Sequence, residues 1–273
     1  MEAYNAQKKS AVQEKRIAQN KLRNAHGRIG FLTLHARTRE RHFLTIPSFF
    51  IISYEKDFKT SRTGIAVKRA ILGEFFGTAL MVAVGCGSVA LAWNHGAVSA
   101  TFGLIVMTAI LLFGSWSGAH INPAVTIAFW RDQQLDTEKV LPYITAQCSG
   151  ALLGSVLTQG AAPTMVAPSV SLLRGFVVEV CITAALMVSI LFVVQRSGDR
   201  RVIAAWVGAT VALLAWLAGP LTGASMNPAR TFGPNVLNGL WATLPFYVVS
   251  TVVGAWLAVD IKRRWFPDSL IQP

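Results

Sequence analysis

GAHINPAVT (residues 118–126) and GASMNPART (residues 223–231) are one short sequence written twice. Each closes a long apolar stretch, and in each the order of residues dictates the backbone. Glycine and small side chains let the chain run extended and close-packed. Asn122 and Asn227 then stand where a helix N-cap belongs, with an oxygen for the free N–H groups of the first turn. Pro123 and Pro228 follow at the first helical position, where proline's missing N–H costs nothing. Ala124 and Ala229 continue the turn. The pattern predicts extended backbone that turns abruptly into a helix, in two places.

The copies lie 105 residues apart, and the same offset carries Glu74 onto Glu179, Thr78 onto Thr183, Gly103 onto Gly208, Gly118 onto Gly223 and Thr126 onto Thr231. A tripeptide recurs by chance; five further matches at one offset are hard to obtain that way. The chain therefore reads as an internal duplication, an arrangement that in membrane proteins places a site at the interface between repeats.

Composition puts the duplication in a bilayer. The sequence is 53% hydrophobic and 14% charged, with a mean hydropathy of +0.47, against about 25% charged residues in soluble domains. The net charge of +12 is unevenly spread: residues 1–69 hold 15 Lys/Arg and 5 Asp/Glu, the remainder 10 and 8. The basicity belongs to an N-terminal arm, residues 1–69, read as disordered and cytoplasmic. Such a segment can lie on anionic lipid, and no motif in it supports binding to nucleic acid. Cys86, Cys148 and Cys181 all fall in apolar runs and read as buried small hydrophobes, with no disulfide or metal spacing.

Six segments have the length a span requires, at residues 70–93, 97–117, 140–160, 173–194, 203–219 and 240–261. The channel domain is placed at 70–264, with repeat one at about 70–160, repeat two at about 173–264, and a tail at 265–273. Arg196, Arg200 and Arg201 follow span four, and Lys262, Arg263 and Arg264 follow span six; the connections 93–97 and 160–173 carry no Lys or Arg. The basic side is cytoplasmic, so both termini are inside. Three spans per repeat then insert the second repeat upside down relative to the first.

Inversion sets the mechanism. The apolar residues after each Asn-Pro-Ala are too few to cross: about nine residues give roughly 13 Å, near half of a 30 Å core. Two such half-helices, entering from opposite faces, meet at the midplane with their N-termini facing. Irregular backbone at that depth lines a wet cavity or is buried in protein. The carbonyls of Gly118, Ala119, His120, Gly223, Ala224 and Ser225 are expected along the path, with Asn122 and Asn227 at its midpoint. Two helix N-termini bring about half a positive charge each, which repels cations and interrupts a chain of protons. The fold class expected is an all-α membrane protein, six transmembrane helices plus two re-entrant half-helices in an inverted three-helix repeat. Its output is passive conduction of small uncharged molecules.

The two motifs, Arg230 directly after the second, and the repeated Glu74 and Glu179 resemble the aquaporin and aquaglyceroporin family of major intrinsic proteins, over about residues 68–264. The resemblance implies a homotetramer with one pore per subunit. It also implies a constriction outside the midplane formed by Phe102, Ala215, Ala224 and Arg230. Water-selective members usually carry His where Ala215 stands, so the gap should be wider and more apolar on one side. That suits glycerol-like solutes or metalloid hydroxides alongside water. Thr231 stands where glycerol channels usually have Asp, which argues against a close glycerol facilitator, and GASMNPART looks like the intermediate group of plant and bacterial channels. A slip of one residue would place Trp216 on the wall instead of Ala215 and narrow the filter.

A carboxylate within a span is a functional-site hypothesis by default. Glu74 and Glu179 each precede their Asn by 48 residues, and with no chain of further acids they read as acceptors for loop N–H groups rather than a proton relay. His120 reads as a hydrogen-bonded loop residue. No nucleophile–base pair, metal cluster or phosphate loop suggests an enzyme, and no cofactor is expected. The partners expected are water, small neutral solutes and the lipid of the cell (inner) membrane. The alternatives are a strictly water-selective channel and, in another class, a secondary transporter.

Overall fold

The computed structural model describes residues 48–267, with side chains from residue 64 onward. The reading of the arm as disordered falls, for residues 1–47, outside the described residues, as does the end of the tail. The chain divides into two units at Gly64 and Ile65, and Ile65–Pro273 is the compact unit that holds the helical bundle.

The elements are α1 (Ser48–Ala90), α2 (His95–Ser117), α3 (Pro123–Arg131), α4 (Thr137–Leu157), α5 (Leu172–Arg196), α6 (Arg200–Thr222), α7 (Pro228–Leu237), a 3₁₀ turn at Trp241–Thr243, and α8 (Leu244–Trp265). Six stretches are long and apolar enough to cross a membrane: Gly64–Ala90 of α1, then α2, α4, α5, α6, and Trp241–Trp265. The two short helices, of 9 and 10 residues, are the re-entrant pair. The protein is all-helical among the described residues, an integral membrane protein with six spans.

The repeat holds at the level of elements. Adding 105 to the ends of α2 gives the ends of α6; the same offset carries the start of α3 onto the start of α7, which runs one residue longer. The copies touch at corresponding residues: a Cβ on Gly103 would strike the Gly208 carbonyl oxygen, and a Cβ on Gly208 would lie 2.7 Å from the Gly103 carbonyl oxygen. Small residues let membrane helices approach to backbone contact, and here they weld one repeat to the other.

Three expectations are corrected. The first span, expected at residues 70–93, is Gly64–Ala90, within a helix that begins at Ser48; extending a helix already formed needs no new nucleus. The fifth span does not stop at Gly219 but continues through Pro220 to Thr222, closing on Gly223 in the left-handed region (φ 76°). Proline removes one helical hydrogen bond, and the carbonyl it leaves free finds its donor in His95 of α2. Cys181 is exposed on the outside of the helices, whereas Cys86 is buried and Cys148 half-buried; lipid accepts the thiol as readily as a protein core does.

Arg131 pairs with Asp260 at 2.6 Å, and Lys262 with Asp132 at 2.6 Å in a buried ion pair. These contacts fasten the C-terminal end of α3 to the last turns of α8, so the short helix is tied at its base and its tip is free to point inward.

Candidate conduction pathway

The tips of α3 and α7 are built by their own sequence. Asn122 (φ −160°, ψ 119°) and Asn227 (φ −153°, ψ 110°) are extended N-caps, each followed by proline. The Asn122 Oδ1 accepts from the Ala124 N–H at 2.9 Å, and the Asn227 Oδ1 from those of Ala229 at 2.9 Å and Arg230 at 3.3 Å. The nitrogens reach across: Asn122 Nδ2 donates to the Met226 carbonyl at 2.8 Å, and Asn227 Nδ2 to the Ile121 carbonyl at 2.9 Å. These partners fix each amide's orientation, since a flip would set donor against donor. One hydrogen remains on each nitrogen beside the passage; at Asn227 its protein competitor is the Met81 sulfur at 3.8 Å, a weak acceptor.

Before each tip the backbone is strained. Ala119, Ile121, Ala224 and Met226 have φ of 49°, 44°, 42° and 51°, a region costly for residues with a Cβ and above all for β-branched Ile121. The surroundings over-determine it. Glu74 takes the His120 N–H on Oε1 at 2.9 Å and the Ile121 N–H on Oε2 at 2.6 Å. Glu179 takes the Ser225 N–H on Oε1 at 2.9 Å and the Met226 N–H on Oε2 at 3.1 Å. Both side chains are fully buried. Every partner of either carboxyl is a donor, Gln147 Nε2 at 2.7 Å on Glu74 and the Thr222 hydroxyl at 2.6 Å on Glu179 included.

Two tyrosines brace the points where the spans end. The Tyr143 hydroxyl donates to the Ser117 carbonyl at 3.0 Å, and that of Tyr247 to the Thr222 carbonyl at 2.7 Å. The His120 ring bonds the Thr126 hydroxyl through Nδ1 at 3.2 Å and stacks on Phe129 at 4.7 Å. In the other repeat Ser225 makes the matching bond to Thr231 at 2.6 Å.

The loops border a cavity of about 310 Å³. Gly118, Ala119, His120, Gly223, Ala224 and Ser225 line it, as do Asn122 and Asn227; the facing wall is apolar, with Val106, Ile110, Leu186, Ile190, Val207 and Val211. Phe102, Ala215, Ala224 and Arg230 line the same cavity. Trp216 does not; its side chain points away, the residue being 56% exposed. The Arg230 guanidinium donates from Nη1 to the Ala162 carbonyl at 2.8 Å and lies 5.2 Å from the Phe102 ring centre. One polar stripe against one apolar wall offers hydrogen bonds on a single side of the cavity.

Several residues escaped the sequence. Ala162 and Pro163 line the cavity from the connection between the repeats, and Met81 and His95 from α1 and α2. The connection is held by Asn235, whose Oδ1 accepts from the Thr164 N–H and whose Nδ2 donates to the Thr164 carbonyl, both at 2.9 Å. None of these falls in the repeated motif. Asn235, on the same helix as Arg230 and fully buried, carried the one available signal: a polar side chain on the short helix that packs inside the protein.

The chain is similar over most of its length to proteins already characterised. The family model described as major intrinsic protein matches residues 61–261. Aquaporin AqpM of Methanothermobacter marburgensis is 31% identical over 235 residues, covering 71% of this chain and 96% of the relative. The glycerol uptake facilitator protein of Haemophilus influenzae is 34% identical over 245 residues, covering 70% and 93%. Aquaporin NIP3-1 of Arabidopsis thaliana is 32% identical over 227 residues, covering 74% and 69%. The solved structure of the aquaglyceroporin from Plasmodium falciparum superposes with a TM-score of 0.68 at 25% identity, covering 73% of this chain and 96% of that one.

Proposed function

The chain belongs to the major intrinsic protein family, a non-enzymatic class of membrane channels for water and small solutes, and from that premise we propose that its filter is broad, passing glycerol-like solutes or metalloid hydroxides as well as water. The observation that carries this reading is the small side chain of Ala215 on the cavity wall that also bears Phe102 and Arg230. With Trp216 turned outward, no large group from α6 enters at that level. The resemblance to both a named glycerol facilitator and named aquaporins supports a mixed filter.

Conduction is passive. A solute moves past the loop carbonyls, exchanges hydrogen bonds with Asn122 and Asn227 at the midpoint, and keeps its carbon skeleton against Val207 and Val211. Both helix N-termini oppose cations there, and Arg230 does so beside Phe102, outside the midplane. Glu74 and Glu179 serve as acceptors that hold the loops and not as steps in a proton relay, which separates this channel from a secondary transporter. The working unit is a homotetramer in the cell membrane, with both termini on the basic, cytoplasmic side.

The test is light scattering from proteoliposomes under gradients of water, glycerol, urea and boric acid. The reading expects faster relaxation than protein-free vesicles for water and at least one of the hydroxyl-bearing solutes, without saturation and without dependence on an ion gradient. Water flux alone would leave a strictly water-selective channel. Saturable flux that follows an ion gradient would indicate a transporter.

A further inference from the structure

His95 opens α2 and lines the cavity together with Val98, Ser99 and Phe102. Those spacings place all four on one stripe of the helix, with His95 about 10 Å along the axis outside Phe102. The imidazole lies against α6 at Gly219, one turn outward from Ala215; a Cβ on Gly219 would stand 2.6 Å from the His95 Cε1. The His95 Nε2 is 2.8 Å from the Trp216 carbonyl oxygen.

That carbonyl explains why the ring is there. In an unbroken α-helix it would accept from the N–H of residue 220. Residue 220 is proline, which has no N–H. The Trp216 carbonyl therefore has no donor from its own helix, and a carbonyl can only accept, so Nε2 carries the proton in this contact. Gly219 removes the side chain that would block the ring, and Pro220 removes the N–H that would compete with it. The pair makes a slot on α6 for an imidazole brought by α2, one turn outside the short side chain of Ala215. Nδ1 is not spent on this bond.

We propose that His95 is a solute-selecting residue, forming an outer constriction that screens neutral hydroxyl-bearing solutes by size where Ala215 leaves the wall open. The inference rests on the broad-filter reading and is tested apart from it. Light scattering of proteoliposomes would compare wild type, His95→Ala and His95→Gln for water, glycerol and a four-carbon polyol. His95→Ala should raise the polyol-to-water permeability ratio about tenfold, the lower end of what one group changes in a narrow site. His95→Gln, which keeps an N–H for the Trp216 carbonyl, should return the ratio toward wild type. An unchanged ratio in His95→Ala with water flux retained overturns the inference. Should His95→Ala fail to insert, Gly219→Ala, which displaces the ring from its slot, replaces it; a ratio moved from wild type supports the inference and an unmoved one overturns it. If wild type passes no glycerol, the broad-filter reading falls, while admission of glycerol by His95→Ala still upholds the role of the imidazole.

Discussion

Replacing Glu74 by Gln keeps the size of the side chain and one acceptor oxygen, and exchanges the other oxygen for an NH₂ group. In the wild type both oxygens accept, Oε1 from the His120 N–H and Oε2 from the Ile121 N–H and Gln147 Nε2. An amide oxygen aimed at either loop N–H sets its NH₂ against the other. Gln147 can turn its own amide to relieve the side-chain clash, because its Oε1 has no partner. The backbone N–H cannot turn. One buried N–H therefore loses an acceptor, a cost of about 1.5–3 kcal/mol for a bond to a charged group. At about 2–4 °C per kcal/mol for a chain of this size, the unfolding midpoint in detergent should fall by roughly 3–12 °C. Glu179→Gln strands the Ser225 or Met226 N–H by the same geometry and should cost a similar amount. With the strained loop slackened, water flux per inserted channel should drop in both variants, with no change in its response to a proton gradient. An unshifted midpoint in both variants would deny that the carboxylates hold the loops. So would a wild-type flux that follows the proton gradient and ceases to do so once either carboxylate is removed.

Other substitutions probe other joints. Gly103→Ala drives a methyl into the Gly208 carbonyl and should cost at least about 1–3 kcal/mol by overpacking, seen as loss of monodisperse protein in detergent; wild-type behaviour would deny that the repeats meet at that pair. Ala215→His narrows the wall and should reduce glycerol flux more than water flux, whereas equal loss of both would show that this residue does not set the filter. Arg230→Val removes a charge from the cavity wall. At an effective dielectric constant of 20 a charge about 5 Å away is worth about 3 kcal/mol, so cation leak across vesicles should rise by about a hundredfold, and an unchanged leak would remove Arg230 from the exclusion of ions.

The half-helices were legible because each motif carries its own cap: Asn and Pro specify where extended backbone ends and a helix begins, whatever surrounds them. The doubling was legible for the same reason, since equal structures demanded equal residues at Glu74 and Glu179, and at Gly103 and Gly208. What stayed hidden lies in contacts without a sequence periodicity. Gln147 and Asn235 have no counterpart 105 residues away, so the offset could not point to them. The fifth span was bounded at residue 219, short of Pro220; the donor that lets α6 continue past that proline comes from His95, 121 residues distant along the chain. The side of α6 that faces the cavity was ambiguous by one residue, and its rotation is set by packing in three dimensions, against α2 at Gly103 and His95 and against α5 at Ser189. The long connection that brings Ala162 to Arg230 has no pattern at all; it is held by the amide of Asn235.

The proposed pathway has its midpoint at two chain reversals, each carboxamide capping its own short helix and bonding the carbonyl of the other loop. The decisive experiment is a density map of the protein in lipid, at a resolution that separates waters. It should show Asn122 Nδ2 against the Met226 carbonyl and Asn227 Nδ2 against the Ile121 carbonyl, near 2.8 and 2.9 Å, with a single file of solute passing between them. Carboxamides lying apart, or a passage filled by side chains from end to end, would contradict it.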